Sequence, residues 1–152
     1  MRVSARADYA IRALVELAAA GPDAALRGDA IASAQAIPTK YLENLLADLR
    51  RDRLVTSQRG ARGGYRLARP ASGITLADVI RAIDGPLAGV RDDAPEDVSY
   101  PGPAAPLRDV WVALRASMRT VLEAVTVADV AGGKLPRAVR KRLDDPGAWS
   151  RR

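Results

Sequence analysis

The chain has 152 residues, 48% of them apolar, and a formal net charge of +6. That length suits one domain with an appendage, and the apolar fraction supplies a core and argues against wholesale disorder. The chain contains no cysteine and no histidine, which excludes disulfides, Cys/His zinc sites and thiolate-ligated clusters, and leaves any catalysis to carboxylates, Lys, Tyr or a bound metal.

The charge is uneven. Residues 1–70 carry 12 Lys/Arg against 7 Asp/Glu, residues 71–133 carry 5 against 9, and residues 134–152 carry 7 against 2. A basic N-terminal module suits a polyanionic partner, although a solvated basic surface has the same composition. Asp8 and Glu16 interrupt the first apolar pattern, and no uncharged apolar run reaches the length of a membrane span. A cytoplasmic protein with no membrane partner is expected.

With four Tyr, two Trp and no Phe, the core must come from Leu, Val, Ile and Ala. Ala7 to Ala20 reads as a helix with Ala10, Leu14, Leu17 and Ala18 on its apolar stripe, Ser4 in the N-cap region and Gly21-Pro22 as its stop. Ala24 to Arg27 is short and extended. Asp29 to Gln35 is a short helix, followed by the turn Ala36-Ile37-Pro38. Thr39 to Arg51 is the next helix, its leucines 42, 45, 46 and 49 recurring on one face. Leu54–Ser57 and Tyr65–Ala68 read as a β-hairpin whose tip is Arg59-Gly60-Ala61-Arg62-Gly63-Gly64. Thr75 to Ile83 is a helix opened by a Thr75/Asp78 capping box.

Residues 85–106 contain five prolines and an acidic run, and read as a partly mobile loop. Leu107 to Val127 reads as a long helix. Its stripe of Trp111, Leu114, Met118, Val121, Leu122 and Val125 alternates three- and four-residue steps. The N-terminal module closes its own core on this reading, so a second copy of the helix is the expected cover, with packing against the first helix as the alternative. The tail holds a short basic helix.

The fold expected is mainly α with a small β-hairpin wing. A winged helix-turn-helix DNA-binding domain spans 1–84, a loop 85–106, a long C-terminal dimerisation helix 107–130 and a basic tail 131–152. The helix from Thr39 offers a polar N-terminal face to a major groove. Thr39 and Lys40 can bond phosphates, Glu43 a cytosine amino group, and Asn44 an adenine or a phosphate. Arg59 and Arg62, among glycines, suit a minor groove. Each piece alone is also what a solvated helix face or a plain turn looks like; the order and spacing together favour double-stranded DNA as the partner. The RGARGG stretch lacks the Gly-Lys-Ser/Thr ending of a phosphate loop. An enzyme is not expected. The alternative is a winged-helix protein-interaction module, which would show apolar residues where Thr39, Lys40 and Arg59 stand.

The segments MRVSARADYAIRALVELA, IPTKYLENLLADLRRDRLVTSQRGARGGYRLARP, ITLADVIRAIDGPL and APLRDVWVALRASMRTVLEAVTVADV resemble the Rrf-two family, the IscR, NsrR and CymR type of bacterial regulator. The resemblance implies a homodimer with crossed long helices that binds an imperfect palindrome, expected to act as a repressor. It puts Thr39, Lys40, Tyr41, Glu43 and Asn44 on the recognition helix and Arg59, Arg62, Gly63 and Gly64 on the wing. Ser4 and Tyr9 match positions near the DNA backbone, and Tyr41 is equally readable as a packing residue. Cluster-bearing members carry three loop cysteines; the last of these positions falls on Ala105 here, and the earlier two fall near Asp93 and Ser99. Asp8 is available as a ligand, but Arg12 stands where a histidine would be needed. No iron–sulfur cofactor is therefore expected. The effector, a small molecule or a partner protein, is left open. The acidic run DDAPED reads as a cation site or, more simply, as solvated charge.

Overall fold

The computed structural model describes residues 2–150; Met1 and the last two residues of the expected basic tail, Arg151 and Arg152, lie outside them. Helix α1 (Ala5–Ala20) begins at Ser4, whose hydroxyl oxygen accepts from the Ala7 N–H at 2.9 Å. It buries Ala7, Ala10, Ala13, Leu14 and Leu17. The small alanines let α2 (Gly28–Gln35) and α3 (Thr39–Arg51) pack beside it. The turn between α2 and α3 is closed by Ala36 in the left-handed region (φ 50°), with the Ile37 N–H donating to the Ala32 carbonyl and the Ile37 side chain buried. Leu42, Leu45, Leu46 and Leu49 of α3 are each at most 1% exposed, as the leucine spacing requires.

Strands β1 (Val55–Gln58) and β2 (Gly64–Leu67) pair antiparallel, with Val55 opposite Leu67 and Gln58 opposite Gly64. Each lies one residue away from the expected span. Leu54 keeps half a rung, its carbonyl accepting from the Ala68 N–H at 3.0 Å, while its own N–H donates to the Leu49 carbonyl at 2.8 Å and closes the end of α3. The extended piece before α2 adds a third, minimal strand: Leu26 and Tyr65 exchange backbone hydrogen bonds of 3.0 and 2.7 Å.

Helix α4 (Leu76–Asp84) starts with the capping box expected from the sequence. Thr75 Oγ1 accepts from the Asp78 N–H, and Asp78 Oδ2 accepts from the Thr75 N–H, both at 3.1 Å. Thr75→Ala is expected to lower stability by about 1 kcal/mol in thermal or urea unfolding.

The C-terminal half departs from expectation at one point. Helix α5 (Leu107–Leu122) stops short of Val125. A second capping box, Thr126 with Asp129, opens a separate helix α6 (Val127–Ala131). Between them the chain pairs with the start of α4: the Leu76 N–H donates to the Val125 carbonyl and the Val127 N–H to the Ile74 carbonyl, both at 2.9 Å. Val125 is 3% exposed and Val127 is fully buried. Val125 is therefore a residue of the chain's own core and not of an exposed helical stripe, and the N-terminal module closes only with α6 packed on α1. The hydrogen bonds from the Thr126 N–H and hydroxyl hold the Asp129 carboxyl below the usual carboxylate range. Helix α7 (Arg137–Leu143) and a 3-10 turn at Pro146–Trp149 follow.

Residues 85–106 fold back on the body. Leu87, Pro95 and Val98 are buried, and Val90 and Asp93 bridge across a turn in which Arg91 and Asp92 are both left-handed. The Trp111 indole N–H donates to the Tyr100 hydroxyl at 3.0 Å, Arg91 lies 5.7 Å from the Tyr100 ring centre, and Arg115 pairs with Glu96 at 2.5 Å. That hydrogen bond from Arg115 holds the Glu96 carboxyl below its usual range.

Candidate nucleic-acid interface

The two ends of α3 differ. Toward its C-terminus the polar side chains are engaged: Asp48 pairs with Arg6 at 2.7 Å and Arg51 at 3.0 Å, and Arg50 donates to Ser57. Toward its N-terminus Thr39, Lys40, Glu43 and Asn44 are exposed, and none has a side-chain hydrogen bond or ion pair among the described residues. The buried leucines hold the helix while its polar N-terminal half stays available, the arrangement a groove reader needs. Tyr41 is 39% exposed and also packs, edge to face, against Tyr9 with ring centres 5.6 Å apart. Arg12 lies 5.3 Å from the Tyr9 ring.

At the wing, Arg59 and Arg62 are exposed and without partners among the described residues. The glycines there also meet a steric need within the chain. Gly64 has φ +145°, and a Cβ on it would sit 2.5 Å from the Leu26 carbonyl oxygen. A Cβ on Gly63 would overlap the Gln58 carbonyl oxygen. The chain's own backbone thus calls for glycine at both positions, at Gly63 within the hairpin and at Gly64 against the Leu26 segment.

The wing and α3 share a groove of about 360 Å³, lined by Arg27, Asp29, Thr39, Glu43, Gln58 and Gly60 among others. Arg27, Asp29 and Gln58 are additions to the sequence-derived set. Arg27 precedes α2 and pairs with Asp29 at 3.3 Å; a basic residue before the short second helix was the available signal. Ser4 is half-buried at the N-cap of α1, as expected. Its hydroxyl donates to Asp84 Oδ2 at 2.5 Å while capping α1, so it ties α1 to the end of α4.

Trp111, Leu114, Met118, Val121 and Leu122 of α5 are all half-buried within the single chain. No residue of α5 is fully buried, and Leu107 and Val110 are 39% and 51% exposed. Asp93, Ser99 and Ala105 are exposed; Ser99 and Ala105 line a shallow depression with Tyr100 and Arg108, and Asp93 belongs to the bridged turn. Asp8 is paired with Arg12 at 3.2 Å. Arg12 also donates to the Gln35 backbone and side-chain oxygens, and Gln35 donates to Glu16, so this cluster straps α1 to α2. Among the described residues no three acidic side chains converge as a metal site, and no helix is long and apolar enough to cross a membrane.

The Rrf2 family, described as an iron-dependent transcriptional regulator, matches residues 3–133. A Mycobacterium tuberculosis H37Rv protein named as an HTH-type transcriptional regulator, Rv1287, is 56% identical over 145 residues, covering 95% of this chain and 90% of that one. The HTH-type regulator CymR of Bacillus subtilis is 33% identical over 131 residues, covering 86% and 90%. Among solved structures, B. subtilis CymR, titled the global cysteine regulator, superposes with a TM-score of 0.75 at 31% identity, covering 88% of this chain and 98% of that one. T. potens IscR superposes with a TM-score of 0.68 at 29% identity, covering 100% and 93%. A mostly helical winged-helix fold, this family match and these relatives agree: the chain belongs to the Rrf2 family of transcriptional regulators and is not an enzyme.

Proposed function

We propose that the protein acts in the cytoplasm as a dimeric, sequence-specific DNA-binding repressor that reads an imperfect palindrome with α3 and the wing. One observation carries this reading: the unpartnered polar end of α3 and the arginine-tipped hairpin border the same groove. Lys40, Arg59 and Arg62 supply phosphate and minor-groove contacts, while Glu43 and Asn44 face base edges. The half-exposed stripe from Trp111 to Leu122 supports pairing of two chains through α5. Exposed Thr39, Lys40 and Arg59 disfavour a protein-interaction module, which would present apolar residues there.

The test is a gel-shift titration against the DNA upstream of the protein's own reading frame. Arg59→Ala is expected to weaken binding to all sequences, and Lys40→Ala to reduce the salt slope by about one phosphate. Glu43→Ala is expected to relax base preference at one position, where a specific contact contributes roughly 1–3 kcal/mol. Uniform weakening by all three variants would remove α3 as the sequence reader.

The family description invokes iron, and the residues present do not fit an iron–sulfur cluster. The chain has no thiol. Ser99 and Ala105 offer a hydroxyl and a methyl, and Arg12 places a cation on Asp8. Regulation without a cluster follows, by an unidentified small-molecule or protein effector. Protein isolated without oxygen is expected to carry no stoichiometric iron or sulfide; finding both would overturn this part.

A further inference from the structure

A cavity of about 500 Å³ lies on the body of the domain, bounded by the end of α1, the foot of the wing, the 3-10 turn Ala71–Gly73 and α6. Leu17, Ala18, Pro22, Leu67 and Ala128 give it apolar walls. It exists because small residues meet there. Gly21 ends α1 with φ +97°, and a Cβ built on it would meet nothing within 4 Å. Arg69 is the one charged side chain in the lining, and no carboxylate is among the lining residues described. Its Nη2 donates to Asp78 at 3.0 Å, and the guanidinium keeps further donors for a second acceptor. Volume and walls match a small-molecule site with one polar fixing point.

We infer that this cavity binds a small carboxylate with an apolar body. Its hydrocarbon part lies on Leu17, Ala18, Leu67 and Ala128, and its anionic head pairs with Arg69. A cation has no counter-charge among the lining residues, and a neutral hydroxyl accepts from Arg69 without the added strength of a charged acceptor. The position couples to function, because the site touches both the end of β2 and α6, the segment that follows α5. The inference does not rest on the DNA-reading proposal.

The experiment is isothermal titration of the full chain with octanoate, octanol and octylammonium. Octanoate is expected to bind saturably, one per chain, with a dissociation constant of about 1 mM or tighter, the range open to so small a ligand. Octanol is expected to bind about tenfold more weakly, and Arg69→Gln to weaken octanoate about tenfold, the contribution of a charge-assisted hydrogen bond. Ser72 lies in the same lining and is exposed, so Ser72→Trp should fold normally by circular dichroism and block octanoate. No saturable binding overturns the inference, as would follow if the chain's own tail or a second copy filled the cavity. So does equal binding of octanoate and octanol, or octanoate binding untouched by both variants. Gel shifts on the same preparation separate the two ideas: absent octanoate binding with intact operator binding sinks this inference alone.

Discussion

Gly64→Ala is expected to destabilise the fold by about 3 kcal/mol and to cut operator affinity with it, because two costs coincide at that position. The residue holds φ +145°, where a side chain is strained. The added Cβ would also stand 2.5 Å from the Leu26 carbonyl oxygen and 2.7 Å from its carbon. A flexible side chain could turn away from such a contact, but a backbone carbonyl cannot. Relief therefore separates Leu26 from Tyr65 and breaks the two hydrogen bonds that anchor β2 to the segment before α2. The wing then loses its fixed position relative to α3. Gly73→Ala is the matched control: nothing lies within 4 Å of a Cβ there, so its effect should stay within about 0.5 kcal/mol. Urea unfolding measures both variants. Equal stability of the two would mean that β2 does not pack against Leu26 as described.

The second large effect concerns α5. Leu114→Glu combined with Met118→Glu is expected to give a folded monomer with operator affinity lowered at least about 100-fold, since two half-site contacts no longer act as one linked event. Both side chains are half-exposed in the single chain, so the charges meet water once the partner helix is gone. Sedimentation velocity reads the mass, and circular dichroism reads the fold. A variant that stays dimeric would remove α5 as the pairing surface. Val125→Ala should behave differently. That side chain is 3% exposed inside its own chain, so the loss appears as about 2 kcal/mol of stability at unchanged oligomeric state. The contrast separates a residue proposed to face a second chain from one that closes the first.

The exposed positions of several candidate residues were legible because their signals are local. The free N-terminal face of α3 follows from four leucines at helical spacing, which assign Thr39, Lys40, Glu43 and Asn44 to the opposite side. Arg59 and Arg62 follow from a glycine-rich hairpin tip between two short alternating runs. Other roles depend on contacts distant in sequence. Ser4 meets Asp84, Arg12 meets Gln35, and Gly64 meets Leu26; no spacing rule reaches across such separations.

What the sequence by itself determined is the order of elements up to α4, the bounds of α3 at Thr39–Arg51, the capping box of α4 and the absence of any thiol ligand. Only the tertiary structure decided that the C-terminal half returns to its own core at Val125–Val127. Residues 107–127 keep an unbroken apolar periodicity, and periodicity reports which face is apolar without saying what covers it. The break at Glu123–Thr126 comes from two backbone hydrogen bonds to Ile74 and Leu76 and from the Thr126–Asp129 box, which favours a new helix start over continuation. The same lack of long-range information hid the steric requirement at Gly64, which comes from Leu26. A glycine required by a carbonyl from another segment looks, along the chain, like one required by an approaching duplex.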